Sequence, residues 1–180
     1  MKFLNTPIEG LMIVEPDVFA DSRGLFFESF SEREFVKNNI TLPFVQDNQS
    51  HSSRDVLRGL HFQRPPFEQG KLVRVVSGAV WDVAVDLRPG SPTFGSYFAD
   101  ELSAKNRRML WIPPGFAHGF LTLEEDTVFI YKCTGYYHKE SEAGVRYDDP
   151  TLRIPWNVSN PLVSDKDKAL PYLSEIKFRD

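Results

Sequence analysis

The chain contains a single cysteine, Cys133, so no disulfide can form within it, and a reducing compartment is expected. Long hydrophobic runs are missing: nothing approaches the roughly 20 apolar residues needed to span a bilayer, so no membrane partner is expected. The opening MKFLNTPIEG meets Asn5, Pro7 and Glu9 before any apolar stretch and lacks the layout of a secretory signal, which predicts a cytoplasmic protein. Positive charge is not in excess either. With 21 Lys and Arg against 25 Asp and Glu, the net charge is −4 and the pI near 5.6, giving no overall attraction for nucleic acid. Any anion must be held by a local basic pocket. The four histidines, His51, His61, His118 and His138, include no His-x-His or His-x-x-x-His spacing. Imidazoles two apart on a strand point to one face and often begin a metal site in a β-barrel; here Gln63 stands two beyond His61, and no metal is expected.

What is present describes a soluble globular chain: 41% hydrophobic, 13% aromatic and 26% charged residues, with no repeat, low-complexity tract or linker. At 180 residues it can bury well over half of its unfolded surface without a disulfide or metal, so one domain over 1–180 is expected. Thirteen prolines and 11 glycines are spread along the chain between short segments rich in Val, Ile, Phe, Tyr and Trp, the pattern of an all-β sandwich or barrel. Strands are predicted at 11–15, 25–30, 44–49, 57–63, 96–102, 108–112, 117–123 and 127–133, paired antiparallel. The segment KLVRVVSGAVWDVAVDL, 71–87, reads as a hairpin turning at Ser77-Gly78, with Trp81, Val83, Val85 and Leu87 on one face and Val80, Asp82, Ala84 and Asp86 on the other. Short helices are predicted at 31–39, with Ser31 capping and Glu34 three residues on, and after Ser164, where Pro171 limits the length.

Several polar side chains sit awkwardly in this β pattern. His61, in RGLHFQ, fits a satisfied core imidazole, a metal ligand or a general base. Lys71 shares a strand face with Val73 and Val75, so its ammonium either meets something anionic inside or snorkels to the rim. Tyr131 shares a face with Thr127, Phe129 and Cys133, and its phenol is either a core hydroxyl or a proton donor. His118, between Phe116 and Phe120, is core or a ligand contact. The turn DSRG, 21–24, carries Arg23; Phe26 and Glu28 then share a strand face, and further on Gln46 and Asn48 share a face. Arg58 and His61 are three apart, so an unbroken strand would point them to opposite faces unless Gly59 introduces a bulge or twist.

Together, DSRGLFFESF, FVQDNQSHS, VLRGLHFQ, QGKLVRVVSGAVWDVAVDLR, SPTFG, LWIPPGFAHGF, YKCTGYY and SDKDKALP resemble the dTDP-4-dehydrorhamnose 3,5-epimerase family, in order from about residue 7 to 172. The resemblance implies a double-stranded β-helix (cupin-type jelly roll) with short peripheral helices, working as a homodimer without metal or organic cofactor. It implies a dTDP-linked 4-keto-6-deoxy sugar as substrate, inverted at C3 and C5 on the way to dTDP-L-rhamnose. Position by position, His61 is expected to be the base, Lys71 the enolate-stabilising group, Tyr131 the acid and Asp167 the partner of His61. Arg23, Phe26 and Glu28 look like substrate contacts, and Gln46, Asp47 and Asn48 like part of the nucleotide-binding run. Arg58 looks like a contact to the sugar diphosphate and His118 like a lining residue. Tyr137 resembles the aromatic that stacks on thymine, while Glu142 and Lys166 match further binding positions. Close relatives that invert one carbon, and a nonenzymatic sugar-nucleotide-binding cupin, remain open alternatives.

Overall fold

The computed structural model describes residues 1–178, and their strands form two facing sheets. The first has the order β1 (Lys2–Asn5), β2 (Met12–Glu15), β10 (Met109–Ile112), β7 (Lys71–Ser77), β12 (Thr127–Cys133), β5 (Gln46–Ser52). The second has the order β13 (Glu142–Gly144), β6 (Val56–Gln63), β11 (Phe116–Thr122), β8 (Ala79–Asp86), β9 (Tyr97–Ser103), with β14 (Leu162–Val163) also pairing β6. A third unit, the hairpin of β3 (Val18–Asp21) and β4 (Gly24–Phe27), pairs with neither sheet. This double-stranded β-helix is the expected jelly roll.

Alternation along the strands builds the layers. Val73, Val75, Leu110, Ile112 and Phe129 from the first sheet pack against Val80, Ala84, Leu102, Phe116 and Phe120 from the second. Each fully buried side chain of this kind contributes about 1.5–3 kcal/mol relative to leaving it in water. Both outer faces are covered as well. The short helix α1 (Glu32–Lys37) buries Phe35 among Leu72, Met109 and Trp111, while the C-terminal segment lays Val145, Leu152 and Trp156 over Val83, Val85 and Leu121. That second cover explains why β8 is buried on both faces.

The expected hairpin at 71–87 does not form, although its strand limits and face assignments hold. β7 pairs with β10 and β12, β8 with β9 and β11, and Gly78 carries the chain from one sheet to the other. A Ser-Gly turn between alternating strands reports a change of direction, but not whether the strands then pair or part. Gly78 is required at this corner: its φ is +77°, and an added Cβ would lie 2.4 Å from Thr127 Oγ1. Two smaller differences concern pairing and capping. β14 joins β6 in parallel rather than antiparallel fashion, and Ser31 occupies the N-cap of α1 without a side-chain cap bond, since Glu34 turns to Lys37 instead.

Candidate active site

Between the sheets lies a cavity of about 760 Å³ whose wall includes Arg58 and His61 from β6, Lys71 from β7, His118 from β11 and Tyr131 from β12. The segment 161–168 closes one side and brings Lys166 and Asp167. Its helix α2 (Asp165–Lys168) starts at Ser164, whose hydroxyl accepts the Asp167 N–H at 3.1 Å. That cap turns the Asp167 carboxylate inward, where Oδ1 meets His61 Nε2 at 2.7 Å and Oδ2 accepts the Gly59 N–H at 3.2 Å. Asp167 therefore serves the cap turn and the histidine at once. Burial alone would raise its carboxyl, but the His61 hydrogen bond and charge, the Gly59 N–H and Lys166 together hold it below the usual value. With Nε2–H donated to the carboxylate, Nδ1 is left as the basic nitrogen of His61.

Arg58 and His61 do share the cavity, and a bulge is the reason. On β11, His118 pairs with His61 and Phe120 with Arg58, so three steps on β6 face two on its neighbour. Gly59 supplies the extra residue at φ +125°, and a Cβ there would approach Gly119 Cα to 2.5 Å. The Arg58 guanidinium is steadied by Ser52 Oγ, at 3.1 Å from Nη2.

Opposite His61, on the other sheet, stands Tyr131. Burial raises its phenol above the ordinary value, so it keeps its proton at neutral pH. Lys71 is also in the cavity wall, inward with Val73 and Val75 rather than at the rim, and burial lowers its ammonium while Cys133 and Asp82 act in the other direction. His118 is 6% exposed and bonds Asp82 through Nε2 at 2.9 Å; burial pushes its imidazole toward the neutral form.

At the mouth, a chain of hydrogen bonds joins the expected nucleotide residues. Lys166 Nζ donates to Glu142 at 2.5 Å, the Tyr137 hydroxyl donates to Glu142 at 2.9 Å, and the Tyr137 N–H donates to Gln46, which in turn donates to Asn48. Tyr137 keeps an exposed ring. Asp47 stands outside this set of bonds: side chains alternate along β5, so it turns outward and accepts from Lys132 at 3.0 Å. Arg23, Phe26 and Glu28 lie elsewhere. Arg23 and Phe26 line a separate hollow on the β3–β4 hairpin, Arg23 is paired to Asp21, and none of the three enters the cavity of its own chain. Among the described residues no three His, Cys, Asp or Glu side chains gather as metal ligands, and no helix is long and apolar enough to cross a membrane.

Comparison with known proteins places this geometry. The family model described as dTDP-4-dehydrorhamnose 3,5-epimerase matches residues 5–175. The chain belongs to the dTDP-4-dehydrorhamnose 3,5-epimerase family. A relative of that name from Shigella flexneri is 51% identical over 168 residues, 93% of each chain. A crystal structure of the Legionella pneumophila 3,5-epimerase in complex with dTDP-4-keto-L-rhamnose has a TM-score of 0.94 at 49% identity, covering 98% of this chain and 94% of that one. A 3'-monoepimerase from Streptomyces bikiniensis, solved with dTDP-quinovose, has a TM-score of 0.90 at 35% identity over 95% of this chain and 87% of that one. The family fold thus carries both regiochemistries. One buried group escaped the sequence reading of the site: Asp82 shares its strand face with Val80 and Ala84, and only the His118 pairing across β8 and β11 reveals it.

Proposed function

We propose that the chain inverts C3 and C5 of dTDP-4-dehydro-6-deoxy-D-glucose to give dTDP-4-dehydro-L-rhamnose, without metal or organic cofactor. The observation that carries this reading is the position of His61 on one sheet, paired with Asp167 from α2, and a protonated tyrosine on the facing sheet, all on one cavity that also holds Lys71. His61 Nδ1 takes the proton from a carbon beside the ketone, and the C–H electrons pass into the ring to leave an enolate at O4. The Lys71 ammonium steadies that oxygen, and Tyr131 returns a proton to the opposite face, re-forming the C–H bond. Repetition at the second carbon completes the isomerisation with no net change in composition. That second round is possible because, after each inversion, solvent takes the proton from His61 and returns one to Tyr131. General acid and base effects of this kind supply about 10²–10⁴-fold each, so the remainder falls to the electrostatics at O4.

Arg58 and Lys166, on the cavity wall, suit the diphosphate, since cationic donors give strong charge-assisted bonds to its oxygens. Gln46, Asn48, Glu142 and the exposed Tyr137 ring suit the nucleoside. We also assign a homodimer in the cytoplasm. In it, Arg23, Phe26 and Glu28 act on the cavity of the second copy. Support comes from the β3–β4 hairpin, where Phe19 is 65% and Phe26 69% exposed, the kind of apolar arm that a partner covers.

The test is incubation with the 4-keto-6-deoxyglucose nucleotide in deuterated water. Label at both C3 and C5 of the epimerised product is expected; label at neither overturns the mechanism. Label at one carbon alone moves the chain to the monofunctional reading, which the likeness to a 3'-monoepimerase keeps specific.

A further inference from the structure

Asp82 lies behind the cavity wall, fully buried, with Oδ2 accepting from His118 Nε2 at 2.9 Å and Oδ1 meeting no partner among the described residues. A buried carboxylate oxygen left bare is costly, and a well-packed strand such as β8 would ordinarily place a valine there. A matching need within the site is that of Lys71, a partly buried cation on the cavity wall that makes no ion pair among the described residues and whose charged form the Asp82 carboxylate favours. We propose that Asp82 is a positioning residue whose carboxylate, from beneath the cavity, keeps Lys71 an ammonium and locks His118 in its Nε2–H tautomer. The inference rests on the reading of Lys71 as the enolate-stabilising group. It adds that the charge at O4 is set by a residue that never touches substrate.

The surroundings of Lys71 make the consequence one-sided. Facing it are Asp82 from β8, His118 from β11, His61 and Arg58 from β6, and Tyr131 and Cys133 from β12, while β10 sets neutral Ile112 opposite it and β5 offers neutral Asn48. Burial, Arg58 and any protonated histidine all favour the neutral amine. Cys133 and Asp82 act against them, but burial pushes the Cys133 thiol up so that it stays protonated at neutral pH, and Asp167 is already engaged by His61 and the Gly59 N–H, which leaves Asp82 as the standing negative charge. Activity requires the ammonium and is lost as pH rises through its titration. Without Asp82 that loss begins at lower pH.

Asp82→Asn tests this by two readouts, the pH dependence of kcat and the direct titration of Lys71 after isotope-labelled reductive methylation, its signal assigned by its absence from Lys71→Arg. The expected result is a downward move of the alkaline limb by about 1–3 pH units, matched by the Lys71 signal, with dTDP affinity little changed. Equal loss at every pH with an unmoved limb, or an unmoved Lys71 titration, overturns the proposal. If Asp82→Asn does not fold, nitrogen NMR of the His118 ring in the unsubstituted chain decides instead: a protonated Nε2 with bare Nδ1 supports it, and a protonated Nδ1 with bare Nε2 overturns it. The Lys71 titration stands apart from turnover, so it still reads the role of Asp82 if the chain proves not to epimerise the substrate.

Discussion

His61 and Tyr131 divide the chemistry in a way single substitutions can separate. His61→Ala removes the base, and kcat is expected to fall by at least about 10²–10⁴-fold while circular dichroism and dTDP binding are retained. Unchanged turnover would leave only a binding role for the cavity. Tyr131→Phe keeps the base and loses the acid, so in deuterated water the substrate carbon should still exchange its proton while inverted product falls away. Asp167 adds a pH signature. Its carboxyl is held below the ordinary 3.8 in the folded chain, so its pair with His61 contributes stability above that value and loses it as pH falls through the lower folded value. Asp167→Asn should accordingly be less stable than the parent at neutral pH, and the two should converge only in acid, as followed by urea unfolding. RGLHFQ alone left His61 a core residue, a ligand or a base; the 2.7 Å contact that distinguishes it comes from a residue 106 positions away.

Two elements deliver these residues, and each has a breakable support. The β6 bulge depends on Gly59, where φ +125° and the 2.5 Å approach to Gly119 Cα leave no room for a Cβ. Gly59→Ala should lose more than about 1 kcal/mol in urea unfolding and lose turnover as well, because Arg58 and His61 share the cavity only through that extra residue. The sequence could raise the Arg58–His61 conflict from strand periodicity and name Gly59 as its remedy; register with β11 was needed to resolve it. β8 is anchored at its end by Asp86, which is fully buried and accepts from Arg88, Ser91 and Thr93. Burial would raise its carboxyl, but these bonds hold it far below the usual range. Asp86→Ala is expected to cost at least about 3 kcal/mol, from several charge-assisted bonds of about 1.5–3 each, with the loss read as a lowered urea midpoint. Asp82 and Asp86 looked equivalent on one strand face, yet one is closed by a local loop and the other faces the site.

For the whole molecule, the open question posed by the sequence is why Arg23, Phe26 and Glu28 match binding positions while lying outside the cavity of their own chain. A homodimer with reciprocal arms answers it, and complementation tests it. Arg23→Ala spoils an arm and His61→Ala spoils a cavity; if arms cross, mixing the two inactive proteins under conditions that exchange subunits restores activity that neither has alone. Failure to recover activity, with mixed dimers verified by mass, would show that each arm serves only its own chain. Light scattering should give twice the chain mass.

Local patterning was enough to determine the β class, most strand limits, the face that Lys71 shares with Val73 and Val75 and the residues that resemble the family's base, acid and binding positions, because alternation, turn residues and short motifs are properties of neighbours along the chain. Pairing was decided only in three dimensions. β7 and β8 part at Gly78 into different sheets, Asp47 turns out while Gln46 and Asn48 turn in, and Asp82 finds His118 across a strand pair. Each depends on which distant segment becomes the neighbour, since burial and hydrogen bonding are satisfied by the whole packed sandwich and not by any stretch of it.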